Sequence, residues 1–314
     1  MGMRGDSLAN NLPLVTIGLP VYNPGSFLSY AVRSVFVQTY PSWELVVVDD
    51  GSTDGSLEHL RRIEDPRVRI LTDGKRRSLP YRLNQILEEA SGDFIARMDA
   101  DDLMDPRRLE RQVAYLLENP GLDAVTTGAY LIDQRNQPLA LWPARQPSLQ
   151  DVLSWGGYLH PSLLARKDWY QKNPYSLKYP RAEDREFFVR TWNTATIGVL
   201  AEPLYFYRWF GVVKPQNLLL GYASERKILW RYGPQLVGWR RTTVLVGKSY
   251  IKTFITYTAY RFGLGQLLER RPRFLPLDPE DLTKAQSAIR VVAQARVPGW
   301  EILDSLENEG KNVG

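Results

Sequence analysis

The chain has 314 residues, 44% hydrophobic and 24% charged, enough to bury a sizeable core as one enlarged domain or a domain with an appendage. It contains no cysteine, which excludes disulfides, thiolate nucleophiles and cysteine-ligated zinc, and fits a reducing, cytoplasmic compartment. The net charge of +5 suits an anionic substrate, a membrane surface or nucleic acid alike, and nothing beyond charge favours nucleic acid. The first residues lack the apolar run of a signal peptide, and Asp6 breaks a myristoylation pattern. The most apolar long stretch, Thr242 to Phe262, is interrupted by Lys248, Lys252 and Arg261, so no transmembrane helix is expected.

Leu14 to Leu19 reads as a buried strand, followed by the turn Pro20-Val21-Tyr22-Asn23-Pro24-Gly25 and helical spacing over Phe27 to Gln38. Glu44 to Val48 is a second strand closed by Asp49-Asp50-Gly51-Ser52, and Ser56 to Ile63 a short helix. A third strand at Val68 to Leu71, a helix at Leu79 to Ala90, a fourth strand at Phe94 to Met98 and a helix at Pro106 to Asn119 follow. This alternation predicts an α/β fold with a mostly parallel sheet flanked by helices. After Ala124, strand-like pieces (Ala124 to Ile132, Leu139 to Trp142, Ser162 to Ala165, Thr196 to Tyr207) lie among loops rich in Trp, Pro and Tyr. From Gln216 the chain is helical and basic, Pro272 to Pro279 reads as a linker, Glu280 to Ala295 as a last helix, and Glu307 to Gly314 as disordered. The expected division is a catalytic domain over 1–213, with a nucleotide half near 12–105 and an acceptor half near 106–213, and a helical region over 214–314.

Ligands of open parallel sheets bind beyond the carboxyl ends of the strands. Those ends carry Pro20, Tyr22 and Asn23, then Asp49 and Asp50, then Asp99, Asp101 and Asp102. Carboxylates this close repel one another unless a cation or hydrogen bonds compensate, and magnesium is commonly held by one or two carboxylates plus substrate phosphates. An acidic turn capping the next helix would read the same way in isolation. Ser52, Thr53 or Asp54 can likewise cap the helix near Ser56, leaving Asp50 to accept a hydrogen bond from a nucleobase.

The segments VTIGLPVYN, ELVVVDDGSTDGS, ASGDFIARMDADDLMDPRRLERQ, LHPSLL and RAEDREFF occur in this order, and over Leu14 to Arg208 the chain resembles family 2 glycosyltransferases of the GT-A fold. The resemblance implies a nucleoside pocket of Pro20, Tyr22, Asn23 and Asp50, joined by Asp99. It also implies a metal pair of Asp99 and Asp101 holding Mg2+ or Mn2+, and a catalytic base at Asp184. A sugar hydroxyl is a poor nucleophile, so displacement at an anomeric carbon profits from such a base, by about 10²–10⁴-fold. Helix capping is the competing reading of Asp184. His160, Glu183 and Trp155 are candidates for the acceptor side, although a single histidine is more often structural and a tryptophan can simply pack. Lys75, Arg76 and Arg77 form a charged loop that is left out of the site.

Two departures stand out. Tyr207-Arg208 is followed by Trp209-Phe210-Gly211, without the histidine that in many members helps to hold the metal, and the QxxRW motif of processive synthases is missing. The expectation is therefore an inverting transfer of one sugar from a nucleotide sugar, UDP-linked by preference, to a glycan or lipid-linked acceptor. A nucleotidyltransferase would need a glycine-rich loop where Pro20-Val21-Tyr22-Asn23 stands, and a degenerate sugar-nucleotide-binding or assembly protein would not need Asp101 and Asp184. The basic helical region can pack on the catalytic domain, form a homodimer interface, or lie at the inner face of a membrane.

Overall fold

The computed structural model describes residues 12–179, 181–210, 215–264 and 274–300. Strands β1 (Val15–Val21), β2 (Trp43–Asp49), β3 (Val68–Thr72) and β4 (Phe94–Arg97) are all parallel, in the order β3-β2-β1-β4. Every residue of β1 and β4 is buried, as their unbroken apolar runs require when helices cover both faces. Among those helices are α1 (Phe27–Phe36), α2 (Ser56–Leu60) and α3 (Leu79–Glu89). α3 sits so close to β1 that a Cβ on Gly18 would come within 2.4 Å of the Ile86 side chain. Only hydrogen fits there.

Beyond β4 the sheet becomes mixed. β5 (Leu103–Met104) and helix α4 (Arg108–Glu118) lead to β6 (Ala124–Ile132), and the Asp133–Gln137 turn returns the chain antiparallel as β7 (Pro138–Trp142). Helix α5 (Leu149–Trp155) precedes β8 (Leu164–Arg166), which inserts antiparallel between β4 and β6. Helices α6 (Lys167–Lys172) and α7 (Glu183–Thr191) then precede β9 (Ile197–Arg208), parallel to β6 and antiparallel to β5. The parallel expectation thus holds for β1 to β4. It lapses at β5, β7 and β8, which run antiparallel to their neighbours.

The basic region forms α8 (Pro215–Arg261), two arms bent at Gly238, whose φ of 77° is left-handed and suits glycine. Its Ile228, Leu229 and Val246 share a core with Val46, Tyr170 and Phe187. Helix α9 (Pro279–Ala293), capped by Asp278, packs on α1. Val297 and Trp300 join the core of β1 and β2, and Trp300 donates its indole N–H to the His59 carbonyl at 3.1 Å. No hydrophobic boundary therefore separates the two expected regions among the described residues. The expected linker is also partly sheet: Leu275 exchanges two 2.8 Å backbone hydrogen bonds with Leu141 of β7. Residues 272 and 273, Gly211 and the tail from Glu307 lie outside the described residues.

Because Trp300 is 1% exposed at a position far from β1 in sequence, Trp300→Ala should destabilise the whole fold by about 3–5 kcal/mol. Urea unfolding should show one transition moved to lower denaturant. Two transitions, with only one displaced, would mean that the C-terminal part folds independently.

Candidate active site

The loops after β1 and β2 are stitched together by the residues that line them. Asn23, held at a left-handed φ of 47°, accepts from the Thr53 N–H at 2.7 Å and donates its own N–H to Ser52 Oγ. Asp54 accepts from the N–H groups of Gly25 and Ser56, and Asp49 from those of Gly51 and Ser52. Asp49 and Asp54 are thus spent on the loop itself, and so is the side-chain oxygen of Asn23. Pro20 is buried within β1. Tyr22 is exposed, with the Arg76 guanidinium 4.3 Å from its ring centre. Arg77, its neighbour, pairs with Asp73.

Asp50 is buried and anchored through one oxygen, which accepts from the Arg77 N–H at 2.7 Å and from Arg82 Nε at 2.8 Å. Arg82 is itself buried and reaches Asp73 at 2.6 Å. Among the described residues no donor reaches the second Asp50 oxygen. A carboxylate gripped on one side and open on the other is a fixed acceptor.

The centre of the site is Arg97, the last residue of β4. It is buried, and its guanidinium grips Asp99 with two bonds of 2.8 and 3.1 Å. Burial alone would favour neutral Arg97, but the surrounding acids, Asp99 foremost, hold it charged more firmly than usual. Its charge also acts on Asp101, Glu183 and Asp184, so these acids from two distant stretches share one neighbourhood. Asp101 is raised to about 6 by burial and then by repulsion from Asp99. Asp102 is pushed well up by burial and its acidic neighbours. It accepts from the Arg208 N–H at 2.7 Å, and the Tyr205 hydroxyl bonds it as well.

Arg208 completes the loop. Its side chain donates to the Asp101 carbonyl and to Asn136 Oδ1, both at 2.6 Å, and to the Asp133 carbonyl at 2.5 Å. Among the described residues no three His, Asp or Glu side chains form a ready metal cage. Asp99 is claimed by Arg97 and Asp102 by Arg208, which leaves Asp101 as the unclaimed carboxylate. Its oxygen chemistry and unrelieved charge fit a hard divalent cation whose remaining positions are filled by phosphate and water.

Glu183 and Asp184 open α7, where the positive end of the helix dipole favours acids. The helix is seated by buried Phe187 and Phe188, by the Glu186 bond to Tyr232 at 2.6 Å, and by an ion pair of Arg185 with Glu225 at 3.5 Å. One Asp184 oxygen accepts from the Arg185 N–H at 2.7 Å. The other lies beside Gly156: a Cβ there would stand 3.7 Å from Oδ2. Gly157, the next residue, lines a cavity of about 850 Å3 walled by Trp142, Trp155, Tyr158 and Phe274. Trp155 thus faces open space. His160 does not. Its ring is buried against Phe187 and Phe188 and bonded to the Tyr175 hydroxyl at 2.6 Å, and burial followed by the Arg97 charge keeps it neutral. That enclosure removes the acceptor contact expected of His160 and makes it part of the wall.

Sequence reasoning passed over Arg82, Arg97 and Arg208. A signal existed at Arg97, since a charge between Ala96 and Met98 at the end of a buried strand demands a buried partner.

Curled mixed sheet, helical flanks and an acidic loop after the fourth parallel strand define the GT-A class of transferase folds. A fragment of Staphylococcus aureus TarS (residues 1–349) superposes with a TM-score of 0.55 at 18% identity, covering 91% of this chain and 81% of that one. The mannosyltransferase PcManGT of Pyrobaculum calidifontis, solved with GDP-Man and Mn2+, gives 0.53 at 17%, covering 96% and 81%. At such identities the likeness is one of fold. The family follows from sequence: the pattern of Glycosyl transferase family 2 matches residues 16–172, and the chain belongs to that family. EpsE of Bacillus subtilis, named as a glycosyltransferase, is 37% identical over 206 residues, covering 63% of this chain and 74% of that protein. WfgD of Escherichia coli, named as a glucosyltransferase using UDP-Glc and a GlcNAc-diphosphoundecaprenol acceptor, is 38% identical over 106 residues, 34% of this chain and 42% of that one. The protein is a glycosyltransferase.

Glu183 is raised from the ordinary 4.5 to about 7 by burial and then by the Asp184 charge. A carboxyl that binds its proton more tightly folded than unfolded contributes stability below about 4.5, and that stability is lost as pH rises through about 7. Asp184→Asn removes one cause. The thermal midpoint of the variant should fall less steeply over that interval than that of the wild type; parallel curves would show that the two acids do not interact.

Proposed function

We propose that this transferase moves one sugar from a nucleoside diphosphate donor to an acceptor hydroxyl with inversion at the anomeric carbon. The gathering of Asp99, Asp101, Glu183 and Asp184 around Arg97 supports the reading, because it would provide acids for a metal-bound diphosphate and a carboxylate for the acceptor in one neighbourhood. Pro20, Tyr22, Asn23 and Asp50 form the nucleoside side, where the open oxygen of Asp50 accepts from the base and Arg76 yields the face of Tyr22 for stacking. A uracil base is the preferred reading, supported by the fold likeness to TarS, which has been solved with UDP-GlcNAc.

Asp101, with Asp99 beside it, would hold Mg2+ or Mn2+, which when bound offsets charge gathering on the departing diphosphate. Asp184 takes the acceptor O–H proton. The freed oxygen bonds to the anomeric carbon from the face opposite the diphosphate, and the old carbon–oxygen bond breaks with its electron pair leaving on the nucleoside diphosphate. Glu183 holds its proton beside Asp184 and limits the negative charge there. The acceptor enters through the aromatic cavity, where Trp155 and Trp142 offer apolar faces to a sugar ring or lipid-linked saccharide. The acceptor named for WfgD is of the lipid-linked kind.

Asp184→Asn should reduce turnover by about 10²–10⁴-fold while donor affinity changes little, read as sugar transfer in one assay and calorimetric donor binding in another. Wild-type turnover in that variant would remove Asp184 as the base. Asp101→Asn should abolish the gain in donor affinity that Mn2+ provides. Trp155→Ala should raise the acceptor KM with donor KM unchanged, and the reverse pattern would place the acceptor elsewhere.

A further inference from the structure

The second arm of α8 buries one face against the first arm through Thr242, Val246, Ser249 and Thr256. Among the described residues nothing covers its opposite face. Val244, Ile251, Phe254, Ile255 and Phe262 recur there at helical spacing, and Ile251, Phe254 and Phe262 are 60%, 68% and 75% exposed. Such a row of large apolar side chains on an outward helix face is unusual for a free surface and marks a contact site.

The charge around this stripe says what covers it. Positions 226–261 carry eight Lys or Arg and not one Asp or Glu. Lys248 and Arg241 lie on one flank of the stripe. Trp239, Tyr250 and Tyr257, all well exposed, lie on the other with Arg261. Apolar side chains between basic residues and amphipathic rings match the boundary of a bilayer with anionic headgroups, where Trp and Tyr place their polar tips in water and their bodies in the acyl region. A second copy of this chain fits less well, since it would bring the same basic segment against itself. Among the described residues no helix is long and apolar enough to cross a membrane, so the contact is one of lying on the surface.

We propose that the second arm of α8 docks the protein on an anionic membrane surface, with Ile251, Phe254 and Phe262 entering the headgroup boundary and Lys248 and Arg261 meeting lipid phosphates. This stands apart from the transfer chemistry, since its readout is vesicle association.

The test is flotation of the full chain with vesicles of phosphatidylcholine alone and with about one-third phosphatidylglycerol. The wild type should float with the anionic vesicles only, and less so at high salt. Ile251→Ser with Phe254→Ser, and separately Lys248→Glu with Arg261→Glu, should each weaken association roughly tenfold or more. These side chains are exposed, and unchanged circular dichroism and donor binding confirm that the variants fold. No flotation of the wild type, or equal flotation of wild type and both variants, overturns the proposal. So does a wild-type dimer in sedimentation that Ile251→Ser with Phe254→Ser converts to monomer while vesicles bind neither.

Discussion

A buried guanidinium cannot be left alone, and neither can a group of buried carboxyls; at Arg97 each answers the other. The pairing with Asp99 consumes one negative charge, while Asp101, Asp102, Glu183 and Asp184 remain in reach or next to it. One cation cannot balance that many acids. The surplus is met by protons, since burial first and acidic neighbours second raise Asp101 to about 6 and Glu183 to about 7, and by the N–H groups that Arg208 and Arg185 turn toward Asp102 and Asp184. Arg97 and Arg208 both sit at strand ends, on β4 and β9, so the sheet sets their positions to within the tolerance of its register.

The donor side follows the same logic on a smaller scale. Arg82 projects from α3, and its buried guanidinium fixes Asp50 and Asp73 at once. Truncating any of these arginines would leave acids buried without compensation, a larger loss than the ion pairs themselves contribute. The cleft is therefore rigid on the side where phosphate and base would sit. It is roomier beside Gly157, where the walls are aromatic and make fewer demands on orientation.

The first half was legible because its strands are long apolar runs punctuated by helices, and those two periods are read directly from residues such as Val46 to Val48 or Ile95. The acids at the strand ends were legible as candidates for the same reason. What the sequence hid is pairing. β5 is two residues long and has no period of its own, and β8 lies antiparallel only because β4 and β6 flank it. His160 reads in sequence as structural or as a candidate on the acceptor side, and packing against Phe187, Phe188 and Tyr175 puts it in the wall. Arg82 and Arg208 look like ordinary surface charges because their partners lie in other segments, whereas Arg97 carried a signal in its place at the end of a buried strand.

Helix α7 stands between two bodies of the protein. Its first turn bears Asp184, while Arg185 faces Glu225 and Glu186, almost wholly enclosed, takes the Tyr232 hydroxyl, both partners coming from α8. The outward stripe and Asp184 are thus borne by neighbouring helices in direct contact. A shortened enzyme ending before Pro215 would strip those partners away and bare the flank of α7. Excision at that point would not isolate a minimal transferase, because α8 is a buttress for the helix that bears Asp184 as well as a surface.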